Sequence, residues 1–157
     1  MRIDERTKYE AILDVRYGQC FNDLNARLYR RLDFLFGFVG LFGGSGALIA
    51  AIGQYKTLGV LTGAAVAAIA VIERLVTAVE KAVRHEDFKK EYAGLNAEAD
   101  RLELSEIDQR LRKLQADGPS GFRTLGQPAY NLNVTANGRP DYVVALTRYE
   151  RVFRFLA

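Results

Sequence analysis

Charged and apolar positions of this chain fall into separate blocks. From Phe34 to Tyr55 no residue carries a charge, and a second uncharged block runs from Thr57 to Ile72. At 1.5 Å per residue the first block forms a helix of roughly 33 Å, the thickness of a bilayer's hydrocarbon core, and the second alone reaches about 24 Å. Glu73 and Arg74 follow the second block and then "LV", so a helix over 57–76 spans if Arg74 snorkels toward head groups. Outside the blocks the spacing is also helical. Ile12, Val15, Leu24, Leu28 and Leu32 recur on one face before the first block, with Gly18 and Asn22 weakening the middle. Val76, Val79, Val83, Tyr92, Leu95 and Leu102 carry the second helix on through 77–104.

The C-terminal third is more broken. Ser105 and Asp108 resemble a capping box opening a helix with Ile107, Leu111 and Leu114 on one side, and "DGPSG" ends it. A turn-rich region follows, with a short helix at "PAYNLNV". Thr147 and Glu150 form a second capping box at the head of "TRYERVFRFLA".

The pattern predicts an all-α membrane protein: a two-transmembrane helical hairpin with long helices extending into a cytoplasmic helical bundle. The expected parts of a single domain, 1–157, are an N-terminal cytoplasmic helix (1–33), two spans (34–55 and 57–76), the continuation of the second helix (77–104) and C-terminal helices and loops (105–157). The connection "GQYKT" is so short that the spans are antiparallel neighbours. Arg27, Arg30 and Arg31 precede the first span and Arg74, Lys81, Arg84, Lys89 and Lys90 follow the second, against Lys56 alone in the turn. The positive-inside rule then puts both termini in the cytoplasm. The alternative is a pair of buried helices in a soluble bundle, which the shortness of the second block keeps open. Against it stand the glycines, each costing a water-soluble helix about 1 kcal/mol relative to alanine.

Those glycines lie in "LFGFVGLFGGSGALIAAIG" and the block after it. Gly40 and Gly44 make GxxxG, Gly43, Ala47 and Ala51 continue a small-residue ridge, and Gly59, Gly63 and Ala67 repeat the four-residue spacing. Such stripes let helices approach closely where hydrophobicity offers no drive, within one chain or between copies. A phosphate-binding reading fails. A Walker loop needs GxxxxGK, yet no lysine lies between Lys8 and Lys56, and Gly44-Ser45-Gly46 supplies only half of a dinucleotide fingerprint.

Composition narrows the chemistry. With 22 Lys and Arg against 19 Asp and Glu the formal charge is +3, too mild to point to nucleic acid. Mean hydropathy is near zero because the blocks average out. The N-terminal stretch mixes charges and lacks the apolar core of an export signal, so the spans themselves are expected to provide membrane targeting. The lone Cys20 fits a reducing compartment and a small buried hydrophobe. His85, the single histidine, sits between Arg84 and Glu86 and is expected to be exposed or to face head groups. Asn133-Val-Thr135 matches a glycosylation acceptor only by spacing. No constellation for a metal, a cofactor or catalysis stands out, and the protein is not expected to be an enzyme.

Asp33 and Glu73 fall at the cytoplasmic ends of the spans, beside Arg30, Arg31 and Arg74. An interfacial ion-pair belt is one reading; a carboxylate ring at a pore mouth, in an assembly of copies, is the other. The C-terminal arginine and aromatic helix is open in the same way, either docked on the bundle or lying on anionic lipid.

The layout resembles a known family. A long N-terminal helix, two close apolar helices with a tiny turn, a helix running back through "EYAGLNAEAD", an amphipathic helix and "GQPAYNLNV" look like the SLATT proteins, bacterial two-transmembrane domains associated with nucleotide second-messenger and SLOG-type sensor systems. The resemblance covers Cys20 to Val134 and rests on layout more than on invariant motifs. It implies a homo-oligomeric effector of bacterial conflict or antiphage defence systems that permeabilises the inner membrane, with no catalytic residues. Because no nucleotidyltransferase or sensor domain is fused here, it also implies a separate sensor or nucleotide second-messenger protein as partner.

Overall fold

A computed structural model describes residues 6–53 and 55–157, with the side chains of Ala47, Ala51 and Lys56 excepted. Among the described residues there is no strand. The helices are α1 (Lys8–Ile52), α2 (Lys56–Val76), α3 (Ala78–Glu98), α4 (Leu104–Asp117), α5 (Gly126–Ala136) and α6 (Arg148–Leu156), with single 3₁₀ turns at Ala99–Arg101, Arg123–Leu125 and Pro140–Tyr142. α1 and α2 are long and apolar enough to cross a membrane. The chain divides into two compact units, one of residues 1–28 with 82–157, the other of residues 29–81.

The first unit has a core that sets alanines and a valine against larger aliphatic and aromatic side chains. Ala11 and Val15 of α1, Phe88, Tyr92 and Leu95 of α3, Ala99, and Ile107 and Leu111 of α4 form one buried cluster, with Ile12, Leu102, Leu104 and Leu114 packed against it. The apolar face of α4 is the one its spacing predicts. Its start is not: α4 begins at Leu104 behind Glu103, whose side chain makes no cap. Asp108 instead pairs with the Arg6 guanidinium at 2.9 Å, tying α4 to the chain's beginning. The capping box at Thr147 and Glu150 is present in both directions.

The continuation of the second helix differs from the expected one. It breaks at Thr77, which adopts the left-handed conformation with φ 46 and ψ 52. A β-branched residue there costs roughly 1–2 kcal/mol. Thr77 N–H still donates to Glu73 O at 3.0 Å and Lys81 N–H to Thr77 O at 3.1 Å, so backbone bonding bridges the break. Beyond it Val79 and Val83 are exposed, and α3 buries Ala78, Ala82, His85, Phe88, Tyr92 and Leu95.

Asparagines hold the turn-rich C-terminal segment. Asn25 Oδ1 accepts the Phe122 N–H at 2.7 Å while its amide donates to Phe21 O at 2.9 Å. Asn133 donates to Leu13 O at 2.9 Å, and Asn131 clamps Val144 through both its N–H and its carbonyl, at 3.0 and 2.7 Å. Arg16 donates to Asn96 at 3.1 Å and also to Asn137. Satisfying these buried polar groups avoids a penalty of about 1–3 kcal/mol each.

Gly18, which weakens the sequence pattern of α1, marks a close approach. A Cβ there would overlap the ring of the buried Tyr92. Gly18→Ala is therefore expected to destabilise the protein by about 1–2 kcal/mol, the crowding cost exceeding the helix-propensity gain of about 1 kcal/mol. Denaturant unfolding followed by circular dichroism in detergent checks it; a stabilised variant would show that the ring is free to move aside.

Candidate functional site

The second unit, residues 29–81, contains most of the residues expected to act. Many of its large apolar side chains face outward: Leu41 is 68 % exposed, Ile52 76 % and Leu75 77 %, and Phe34, Ile49, Val60 and Leu61 are similarly open. Phe34, Phe38 and Phe42 stack along one line of α1, with ring centroids 6.4 and then 4.4 Å apart. None of the most apolar stretch of α1 or of α2 is buried. Two hydroxyls in these stretches are satisfied within their own helix. Ser45 donates to Leu41 O at 2.8 Å, and Thr62 to Leu58 O at 2.8 Å.

The small-residue stripes divide by direction. A Cβ built on Gly43 would stand 2.5 Å from Val66 Cγ2, so α1 and α2 touch there only because Gly43 has no side chain. Around Gly40, Gly44 and Gly63 a Cβ would meet nothing among the described residues within 4 Å. Gly59 is half-buried and Ala67 exposed, while the side chain of Ala47 lies outside the described residues. The sequence pattern names the stripes but cannot rank their members, because direction depends on helix rotation. Val66 is a contact residue it misses, being one valine among many.

Asp33, Glu73 and Arg74 come together along an open groove of about 810 Å³ that Thr77 and Glu80 also line. Arg30 and Arg31 are exposed and do not line it. Nearby, Lys81 lies over the Tyr29 ring, 5.6 Å from its centroid, a cation–π contact.

In the first unit His85 is fully buried, contrary to the expectation of an exposed or head-group-facing imidazole, and its Nδ1 lies 2.7 Å from Asn22 Oδ1. The spacing of Ala78, Ala82, His85, Tyr92 and Leu95 puts it on the inner face of α3, a signal legible once alanines are counted as seam residues. Cys20 is half-buried beside a cavity of about 490 Å³ lined also by Arg16, Asp23, Lys89 and Asn96. Burial, and secondarily the Asp23 carboxylate, push its thiol pKa up. Lys89 bridges Glu86 at 2.6 Å and Asp23 at 3.3 Å, and the Glu86 bond foremost raises its pKa. Among the described residues no group of His, Cys, Asp and Glu could hold a metal ion.

Two outcomes follow. Gly43→Leu is expected to cost about 1–3 kcal/mol by forcing α1 off Val66, whereas Gly40→Leu changes the stability of the isolated chain by less than about 0.5 kcal/mol. Thermal unfolding in detergent separates them, and equal losses would contradict the division of the stripe. The raised Cys20 pKa leaves less thiolate at neutral pH, so Cys20 alkylates more slowly than glutathione and Asp23→Asn speeds it. Iodoacetamide kinetics give the comparison. Comparison with known families, with curated proteins and with solved structures finds no match for this chain.

Proposed function

We propose that the chain is a multi-pass protein of the bacterial inner membrane, its apolar helices forming a transmembrane hairpin with both termini cytoplasmic. Copies assemble into a permeabilising effector of a bacterial defence or conflict system. The observation that carries the reading is the outward apolar surface of α1 and α2. Burying a large apolar side chain is worth about 1.5–3 kcal/mol, so leaving this belt in water forgoes on the order of 10 kcal/mol or more. That rivals the whole stability of a typical domain, about 5–15 kcal/mol. Lipid removes the deficit. The hydroxyls of Ser45 and Thr62, bonded to their own helices, suit a solvent that offers no hydrogen bonds.

Assembly has its support in the glycines at which an added Cβ would meet no described atom within 4 Å. Gly40, Gly44 and Gly63 leave shallow strips on which a neighbouring copy packs by van der Waals contact. In such an assembly Asp33 and Glu73 lie along a groove at one end of each helix pair and present carboxylates to permeating cations. The reading takes no cofactor and no nucleic acid, and the protein in it is not an enzyme. Its trigger is a separate sensor or nucleotide second-messenger protein, in keeping with the resemblance to SLATT domains.

Alkaline carbonate tests the membrane part: the protein stays in the pellet, and release into the supernatant would refute the hairpin. In dye-loaded vesicles the chain releases dye with a steep dependence on protein density, and Gly40→Leu or Gly63→Leu abolishes both release and oligomers. A carbonate-resistant monomer in detergent that leaves vesicles tight selects the alternative, a non-permeating anchor or scaffold whose cytoplasmic helices recruit a partner protein.

A further inference from the structure

The helix α6 divides its surface more sharply than any other element. Its inner side docks through Phe153, whose ring centroid lies 5.5 Å from that of Phe122, and it rests on the Arg123–Leu125 turn and α5. Its N-terminus is closed by the Thr147 and Glu150 capping box. Its outer side carries two ladders at spacing i, i+3, i+6. Tyr149, Val152 and Phe155 are 77 %, 55 % and 82 % exposed. Arg148, Arg151 and Arg154 are exposed as well. At 100° per residue the arginine ladder runs beside the apolar one, on the side away from Phe153.

The helix's one carboxylate is already engaged. Glu150 accepts from the Thr147 N–H at 2.7 Å and from its hydroxyl at 2.8 Å, which turns its charge toward the helix start. The outer side is therefore apolar along one strip and positive along the next. A second copy apposed on this face would bring arginines against arginines, which disfavours self-association. Guanidinium groups pair bidentately with phosphate, and aromatic rings settle at the level of lipid head groups.

We propose that α6 is an interfacial helix that lays Tyr149, Val152 and Phe155 into the head-group layer of an anionic bilayer, with Arg148, Arg151 and Arg154 on lipid phosphates. The occupant of the face is the lipid surface. The proposal uses the bilayer of the functional reading but needs neither the crossing helices nor permeation. An arginine near an anionic surface strengthens binding about fivefold, so the three together contribute roughly a hundredfold.

The test uses the full chain with Cys20→Ser and Phe155→Cys, labelled with an environment-sensitive fluorophore and reconstituted into vesicles of phosphatidylcholine with or without phosphatidylglycerol. Tyr149→Cys provides a second label position. The expected result is a blue-shifted probe, quenched by spin-labelled lipid, when phosphatidylglycerol is present. Arg148→Gln, Arg151→Gln and Arg154→Gln together shift the bound-to-free ratio about a hundredfold toward water. A water-exposed probe at both positions in both lipids overturns the proposal. So does equal protection in lipid-free detergent, which would mean that protein covers the face. Carbonate extraction of the same sample is read separately: carbonate-resistant protein with an unresponsive probe removes only the α6 proposal, whereas extractable protein with a responsive probe removes only the spanning helices.

Discussion

The constraint on which everything else depends is that α1 and α2 carry more apolar surface than the described residues cover. Two helices touching at Gly43 and Val66 shield a narrow strip of each other, and Leu41, Ile52 and Leu75 stay open. Water makes that arrangement costly; an apolar solvent makes it neutral. On the proposed membrane reading, the same constraint explains why glycine is affordable in these helices. Glycine's propensity penalty of about 1 kcal/mol applies to helices in water, where exposed backbone competes for solvent, and loses much of its force where helix is the only way to satisfy the backbone.

The other unit solves a different problem. Its buried core mixes the alanines Ala11, Ala82 and Ala99 with Leu28, Phe88, Tyr92, Ile107 and Leu125. Asparagine adds fixed positions. Asn25, Asn131 and Asn133 each reach across to a backbone group far away in sequence or in the following segment, fixing the connections before α5 and α6. Gly121 belongs to the same device, since a Cβ there would stand 2.8 Å from Asn25 Oδ1 and push the amide off Phe122. Hydrogen bonds of this kind add about 1 kcal/mol each, but losing one leaves a buried group unsatisfied at up to about 3 kcal/mol. They specify position more than they add stability.

Much of this was legible in the sequence, because charge exclusion and apolar spacing are local. The all-helical class, the inner face of α4 and the capping box of α6 follow from residues read in order. The start of α4 was misplaced because Ser105 and Asp108 satisfy the cap spacing, whereas Asp108 is taken by Arg6, a partner about a hundred residues away. His85 was expected outside because its neighbours Arg84 and Glu86 are charged; helical phase, not neighbourhood, decides burial. The direction of each glycine stripe required knowing which way the helices turn, and no spacing rule contains that.

Thr77 shows how one residue undoes an otherwise sound extrapolation. In α2 the half-buried positions are Gly59, Thr62, Gly63, Val66 and Ile69, and Val76 continues them at the proper spacing. Carried straight on, that face would reach Val79 or Glu80 and then Val83. A left-handed residue does not advance the helix by the usual 100°, so the phase resets, and α3 buries Ala78, Ala82 and His85 while Val79 and Val83 turn outward. The reset falls where the apolar segment gives way to the charged one. In the apolar segment, packing wants glycine and valine; in the polar one it wants alanine, histidine and tyrosine against a different set of neighbours. A continuous helix could satisfy one phase only, and the strain of roughly 1–2 kcal/mol at Thr77 is small beside the several buried side chains that a wrong phase would expose.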